Sequence, residues 1–203
     1  MRRYYITDRK ALGGRKLVSV VAAAARGGVD GVQIREKDLP TRELVALVRE
    51  ALDAIRGAQT RLIVNDRLDV AMALDASGVH LGTASLPVRE ARRVAPAGFL
   101  IGASCHSVEE VMTAEAAGAN YVLLGPIYST PSKVQYGPPL GVEKLREAVA
   151  CVGIPVLALG GITVERAREC RAAGAAGIAA IRLFQEAESL EELARELRSS
   201  EAP

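Results

Sequence analysis

Tryptophan is absent from this chain, and aromatic residues make up only 3% of it. With few ring faces on which bases could stack, and no broad basic field behind a net charge of +2, the composition argues against nucleic acid as a partner. Cysteine is scarce as well. Cys105, Cys151 and Cys170 are odd in number, far apart and without a C-x-x-C spacing, which sets aside a disulfide framework or a structural zinc site and fits a reducing cytoplasm. Long apolar runs are missing. The longest, Leu17 to Ala25, is broken by Ser19 and too short to cross a bilayer, and Met1-Arg2-Arg3 runs straight into a strand-like Tyr4-Tyr5-Ile6. Neither a signal peptide nor a membrane anchor is expected.

What the chain does contain is a repeated unit: an Ala-rich helix, a glycine able to take a left-handed turn at its end, then a short apolar strand. It occurs at Gly27-Gly28-Val29-Asp30-Gly31-Val32, at Gly118-Ala119-Asn120-Tyr121-Val122 and at Gly174-Ala175-Ala176-Gly177-Ile178. Apolar runs predict strands at Tyr4 to Thr7, Gly31 to Ile34, Leu62 to Val64, Gly78 to Leu81, Leu100 to Ala103, Tyr121 to Leu124, Val156 to Leu159 and Gly177 to Ile181. Between them, helical periodicity covers Leu17 to Arg26, Thr41 to Ile55, Leu68 to Asp75, Val88 to Val94, Val108 to Ala117, Val142 to Val149 and Val164 to Ala173, with a last helix at Leu190 to Leu197. Thr41, Ser107 and Thr163 supply helix-start signals. Continuously apolar strands belong to a parallel sheet covered on both faces. Eight strand-helix units in 203 residues match a single compact (β/α)8 barrel domain over residues 1–203. The alternative, an open doubly wound sheet, lacks the Gly-x-Gly-x-x-Gly expected after its first strand.

In such a barrel the residues after each strand carry function. Here they are polar: Thr7-Asp8, then Gln33-Ile34-Arg35-Glu36-Lys37-Asp38, Asn65-Asp66-Arg67, His80 with Gly82, Ser104-Cys105-His106, Gly125 with the segment through Thr130, Ser132 and Lys133, Gly160-Gly161, and Arg182. Two-residue alternation puts Gln33, Arg35 and Lys37 on one side of the second strand end, suited to a pyrophosphate leaving group. Asp66 is a candidate Mg2+ ligand, with a helix cap before Leu68 as the alternative. Gly160-Gly161-Ile162-Thr163 leads into a helix and can face a phosphate. Thr130, Ser132 and Lys133 add two hydroxyls and an ammonium.

Taken in order, these groups resemble the thiamine phosphate synthase and thiazole tautomerase superfamily, together with Tyr5-Ile6-Thr7-Asp8, Gly78-Val79-His80-Leu81-Gly82, Gly102-Ala103-Ser104-Cys105-His106, Gly125-Pro126-Ile127 and Thr130-Pro131-Ser132-Lys133. The resemblance spans nearly the whole chain. It implies a transferase joining 4-amino-2-methyl-5-hydroxymethylpyrimidine diphosphate to 4-methyl-5-hydroxyethylthiazole phosphate, with release of pyrophosphate. It further implies that Gln33, Arg35, Lys37 and Asn65 hold the pyrimidine diphosphate and that Lys133 reaches the diphosphate. Asp66 would bind Mg2+, and Ser104 would neighbour the pyrimidine or diphosphate. Thr130, Ser132, Gly161 and the eighth strand's end at Ile181 and Arg182 would bind the thiazole phosphate.

Two departures from the family pattern stand out. Where the synthase has Gly-Gln-x-Asp this chain reads Gly82-Thr83-Ala84-Ser85, so the second metal carboxylate is a hydroxyl and the Mg2+ site is weakened. Where the eighth strand usually ends in Ser stands Arg182. A thiazole tautomerase, with His106 as acid or base, is the alternative reading; a noncatalytic binder of thiamine precursors is the third. The expected partners are small phosphorylated molecules, and a homo-oligomer is left open.

Overall fold

The computed structural model describes residues 1–130 and 138–199, the last of these by its backbone alone. Three helix ends repeat one device. Gly28, Gly118 and Gly174 have φ of 81°, 96° and 94°, and each closes a helix with paired hydrogen bonds: Gly28 and Val29 donate to Ala25 and Ala24, Gly118 and Ala119 to Glu115 and Ala114, and Gly174 and Ala175 to Arg171 and Cys170. This is the Schellman pattern, and a left-handed residue there favours glycine. In each case the chain then turns back into a strand, which is the repeat read in the sequence.

The strands are β1 (Arg3–Ile6), β2 (Gly31–Ile34), β3 (Arg61–Asn65), β4 (Gly78–Leu81), β5 (Leu100–Cys105), β6 (Tyr121–Leu124), β7 (Val156–Leu159) and β8 (Gly177–Ala180). They pair in parallel, in chain order, and β8 closes on β1, giving the expected closed barrel. The helices among the described residues are α1 (Leu17–Arg26), α2 (Thr41–Ala54), α3 (Leu68–Ala73), α4 (Val88–Val94), α5 (Val108–Ala116), α6 (Gly141–Cys151), α7 (Val164–Ala172), α8 (Arg182–Gln185) and α9 (Leu190–Ser199). Sequence periodicity missed α8, which is four residues long, and a 3-10 turn at Arg9–Ala11 after β1, both too short to show a period. Ser107 and Thr163 cap α5 and α7 with their side chains as expected, whereas α2 starts at Thr41 after Pro40 without a side-chain cap.

Alternation along the strands sorts the core into two layers. Val32, Leu62, Val79, Ile101, Val122, Val156 and Ile178 face the helices, where α1 packs Leu17, Val20, Val21, Ala24 and Ala25 at helical spacing. Tyr4, Ile6, Ile63, Tyr121, Leu123, Leu157 and Ala179 fill the barrel. Two tyrosines fit inside because their neighbours on adjacent strands are glycines. Tyr4 Oη and Tyr121 Oη are 2.8 Å apart, and a Cβ on Gly102 would lie 2.2 Å from the Tyr121 ring. Gly102→Ala is therefore expected to lower stability by ~3 kcal/mol through overpacking, measured by urea unfolding. A loss below ~0.5 kcal/mol would mean that the ring moves aside freely.

Candidate active site

The carboxyl ends of β2 to β5 replace this apolar filling with polar side chains. Gln33 on β2 and His80 on β4 are buried, while Asn65 on β3 and Ser104 on β5 are partly open. Two chains of hydrogen bonds connect them. Gln33 Nε2 donates to Asn65 Oδ1 at 2.8 Å, and Asn65 Nδ2 donates to Asp66 Oδ2 at 2.8 Å. Ser85 Oγ donates to Asp66 Oδ1, while the Gly82 N–H reaches Ser85 Oγ at 2.7 Å and Asp66 Oδ1 at 3.4 Å. Separately, His80 Nε2 lies 2.9 Å from Ser104 Oγ. Gln33 Oε1 and His80 Nδ1 are buried without a hydrogen-bond partner. Leaving such atoms unpaired costs about 1–3 kcal/mol each, so in the working protein they are groups for a ligand or a water to satisfy.

Asp66 is not the helix cap that sequence preference allowed. The cap position of α3 is Arg67, which makes no side-chain cap, and the Asp66 carboxylate turns to Asn65, Gly82 and Ser85. Its backbone has φ of 60°, in a tight turn where Arg67 N–H donates to Asn65 C=O at 2.7 Å. A non-glycine residue in that region stores ~1 kcal/mol of strain, a cost met where geometry at a site demands it.

The charged run after β2 divides in two. Glu36 is buried and accepts from Thr7 Oγ1 at 2.6 Å, from the Arg9 N–H at 3.1 Å and from Arg9 Nη1 at 3.2 Å. Asp38 pairs with Arg9 and, at 2.8 Å, with Lys10 Nζ. Arg35 and Lys37 enter no ion pair among the described residues. The expected alternation reaches Arg35 only, because β2 ends at Ile34 and Lys37 lies in a turn closed by Leu39 N–H on Glu36 C=O at 3.2 Å. That turn brings Lys37 to a cavity of about 260 Å3 on the α2 side, whose walls it shares with Glu36, Asn65, Asp66 and Arg67 and with apolar Ile34, Leu39 and Leu44; neither Gln33 nor Arg35 lines it.

His80 shares the barrel interior with Tyr4 and Tyr121, and burial pushes its pKa down to about 3, with Arg35 adding to that and Asp66 opposing it. The ring is neutral at physiological pH. The unfolded chain takes up this proton near pH 6.5 and the folded one does not, so stability is full above pH 6.5 and declines as pH falls toward 3. Between pH 6.5 and 5.5 the expected loss is about 1 kcal/mol, measured by urea unfolding. His80→Phe should remove that slope; an unchanged slope would assign it to other groups.

The opposite rim is formed by the loops after β6, β7 and β8. Ile127 N–H and Tyr128 N–H donate to Leu159 C=O and Gly160 C=O at 2.8 and 3.1 Å. Gly161 has φ of 64°, and a Cβ there would lie 2.8 Å from Ser129 O, so the two loops touch through it. Arg166 stacks over the Tyr128 ring at 4.6 Å and donates to Gly161 C=O at 2.7 Å. Thr130 stands at the end of the described part of this loop, and Ser132 and Lys133 lie outside the described residues. Ile181 packs against the barrel's inner cluster, but β8 stops at Ala180, one residue before the expected end. Arg182 opens α8 and is exposed. His106 is turned to the start of α5: its N–H donates to Glu110 Oε2 at 2.7 Å, and its Nδ1 is 3.4 Å from the same oxygen.

A parallel barrel with two free cations, a chain of amides and a carboxylate on one rim and a glycine loop on the other defines an enzyme of the (β/α)8 class that handles anionic substrates. A thiamine-phosphate synthase of Roseiflexus castenholzii is 46% identical over 178 residues, 88% of this chain and 78% of its own length. One from Methanoculleus marisnigri is also 46% identical, over 88% of this chain and 84% of its own length. The solved structure of a thiamine phosphate pyrophosphorylase from Pyrococcus furiosus superposes with a TM-score of 0.88 at 38% identity, over 98% of this chain and 94% of that one. The family model described as thiamine monophosphate synthase matches residues 3–184. The chain belongs to that family, and its activity is the transferase reaction of a thiamine-phosphate synthase, in which a pyrimidine methyl diphosphate and a thiazole phosphate give thiamine phosphate and pyrophosphate.

Proposed function

We infer that the diphosphate of the pyrimidine substrate sits over the ends of β2 and β3, held by Arg35 and Lys37, to which the family resemblance adds Lys133, outside the described residues. The observation that carries this reading is that these two cations stand without acidic partners beside the Gln33–Asn65–Asp66 chain, while the carboxylates between and after them are neutralised elsewhere. Gln33 Oε1, buried and unpartnered, is free to accept from the aminopyrimidine, and Ser104 Oγ borders the same space. The thiazole phosphate belongs on the opposite rim, at Thr130, Ser132, Gly161, Ile181 and Arg182, where barrels of this kind bind phosphate between the loops after the last two strands and a short extra helix such as α8.

The residues present fit Mg2+ in one way. Asp66 is the acid that ends the Gln33–Asn65 chain, with the Ser85 hydroxyl where a second carboxylate would stand, and no group of three His, Cys, Asp or Glu side chains is assembled among the described residues. Mg2+ is commonly held by one or two carboxylates together with substrate phosphates, so Asp66 suits an ion that arrives with the diphosphate. When bound, Mg2+ offsets negative charge on the leaving group.

The reaction breaks the bond between the pyrimidine methylene and the diphosphate oxygen and forms one from that methylene to the thiazole nitrogen. Arg35 and Lys37 stabilise the departing charge, and the two rims hold nitrogen and methylene in line. The thiazole nitrogen attacks through its lone pair and becomes a thiazolium, so no proton leaves it. His106, turned to Glu110, has no acid or base work in this step, and His80 is neutral and gives shape and hydrogen bonding to the floor. We read residues 1–203 as one barrel domain acting in the cytoplasm, in keeping with three free cysteines, and among the described residues no helix is long and apolar enough to cross a membrane. Inorganic pyrophosphate with Mg2+ is expected to compete with the pyrimidine diphosphate and not with the thiazole phosphate; competition against the thiazole phosphate alone would reverse the assignment of the two rims.

A further inference from the structure

The carboxylates within the charged run have to be kept away from the cations they alternate with. Glu36 and Asp38 flank Lys37, and Glu36 follows Arg35, so each acid is near enough in sequence to draw a cation's charge to itself. One residue takes up both acids. Arg9, in the turn after β1, donates Nη1 to Glu36 Oε2 at 3.2 Å and to Asp38 Oδ1 at 2.5 Å, and Nη2 to Asp38 Oδ2 at 3.0 Å. Its own N–H lies 3.1 Å from both oxygens of Glu36. Thr7 completes the connection. It is fully buried, donates Oγ1 to Glu36 at 2.6 Å and accepts from the backbone N–H of Arg35 at 2.9 Å, while its own N–H donates to Gln33 C=O at 3.0 Å. The chain at Gln33, Arg35 and Glu36 is thereby tied at three points to Thr7, directly after β1. The guanidinium fork that reaches both carboxylates is one that a lysine cannot reproduce.

The geometry points to a positioning clamp, in which Arg9 and Thr7 bind Glu36 and Asp38 so that Arg35 and Lys37 are presented, unpaired, to a diphosphate. This rests on the reading of Arg35 and Lys37 as diphosphate ligands. The clamp touches no substrate. It fixes the backbone that carries one cation and withdraws from both cations the acids that would otherwise neutralise them. Arg9, with Lys10, also holds the Asp38 carboxyl well below its ordinary range, which keeps that acid charged and engaged.

The test uses the full chain with Arg9→Met, Arg9→Lys, Thr7→Val and Thr7→Ser. Binding of inorganic pyrophosphate in Mg2+ is read by calorimetry, and KM for each substrate by steady-state kinetics. Arg9→Met and Thr7→Val are expected to weaken pyrophosphate binding ~10-fold, in line with losing one charge-assisted contact, and to raise KM for the pyrimidine diphosphate alike. KM for the thiazole phosphate should stay within about twofold. Thr7→Ser keeps the hydroxyl and should restore pyrophosphate binding to within about twofold of the unaltered protein; Arg9→Lys, should Arg9→Met not fold, is expected to fall between the two. In an Arg35→Ala, Lys37→Ala background Arg9→Met should add less than about twofold, because the clamp works through those cations. Undiminished pyrophosphate binding in Arg9→Met and Thr7→Val, a full further loss in the background variant, or a parallel rise in both KM values would each overturn the clamp. Failure of the unaltered protein to bind pyrophosphate would be a different result, rejecting the diphosphate site itself and the clamp with it.

Discussion

Arg35→Ala is expected to lower turnover ~10^3-fold while leaving the fold intact, the scale seen when a preorganised positive group is removed from a departing phosphate or oxyanion. The asymmetry between activity and stability follows from the local structure. The backbone of Arg35 is fixed by Thr7 through its N–H, a bond that alanine keeps, and among the described residues the guanidinium has no carboxylate partner whose loss would strand a buried charge. Urea midpoints should therefore agree closely. Lys37→Ala should act in the same direction, and more weakly, because an exposed ammonium is better compensated by solvent. Glu36→Ala would differ from both in its effect on stability. It leaves Thr7 Oγ1 and the Arg9 N–H without their acceptor, so stability falls along with activity. A turnover loss below ~10-fold in Arg35→Ala would mean that the diphosphate's charge is carried elsewhere.

The second large effect is on Mg2+. Asp66→Asn keeps the side-chain shape and an oxygen for Ser85 to meet, but removes the carboxylate that Asn65, Gly82 and Ser85 contact, and is expected to cut turnover ~10^2-fold and to raise the half-saturating Mg2+ concentration. Ser85→Asp tests the same site from the other direction. Ser85 Oγ already touches Asp66 Oδ1, so a carboxylate at residue 85 would stand beside it, two acids that repel until a cation joins them. Half-saturating Mg2+ should fall ~10-fold in that variant. An unaltered Mg2+ response in both variants would remove Asp66 and Ser85 from the metal's surroundings.

The elements were legible because their physics is local. Strands buried on both faces are short apolar runs, and the left-handed turns at Gly28, Gly118 and Gly174 need glycine, so both leave a signature within a few residues. Which strand residues fill the barrel and which meet the helices is set by two-residue alternation, as the two core layers show, and continuously apolar runs do not display it. The short helix α8 left no such signature. The charged run after β2 was visible as a cluster, yet its division into anchors and presented cations was not, because that division is set by Arg9 and Thr7, which lie 27 and 29 residues from Glu36 in sequence. Thr7 stood among the polar strand ends; nothing nearby in sequence marked its link between Glu36 and Arg35.

Asp66 shows the same limit from another side. Residue preference alone allowed a helix cap, and the choice was made by Asn65, Gly82 and Ser85, of which two lie on the next strand's loop. His106 illustrates the converse. A histidine just after a strand of a barrel invites a catalytic role, and its charged partner is local: Glu110, four residues on, accepts from its backbone N–H at 2.7 Å and lies 3.4 Å from its Nδ1.

The most direct test of the whole account is to supply purified protein with the pyrimidine diphosphate, the thiazole phosphate and Mg2+, and to measure thiamine phosphate and pyrophosphate together. Both products are expected in equal amounts, with neither formed when either substrate is left out. Pyrophosphate release without thiamine phosphate, or no product at enzyme concentrations comparable to substrate, would contradict it.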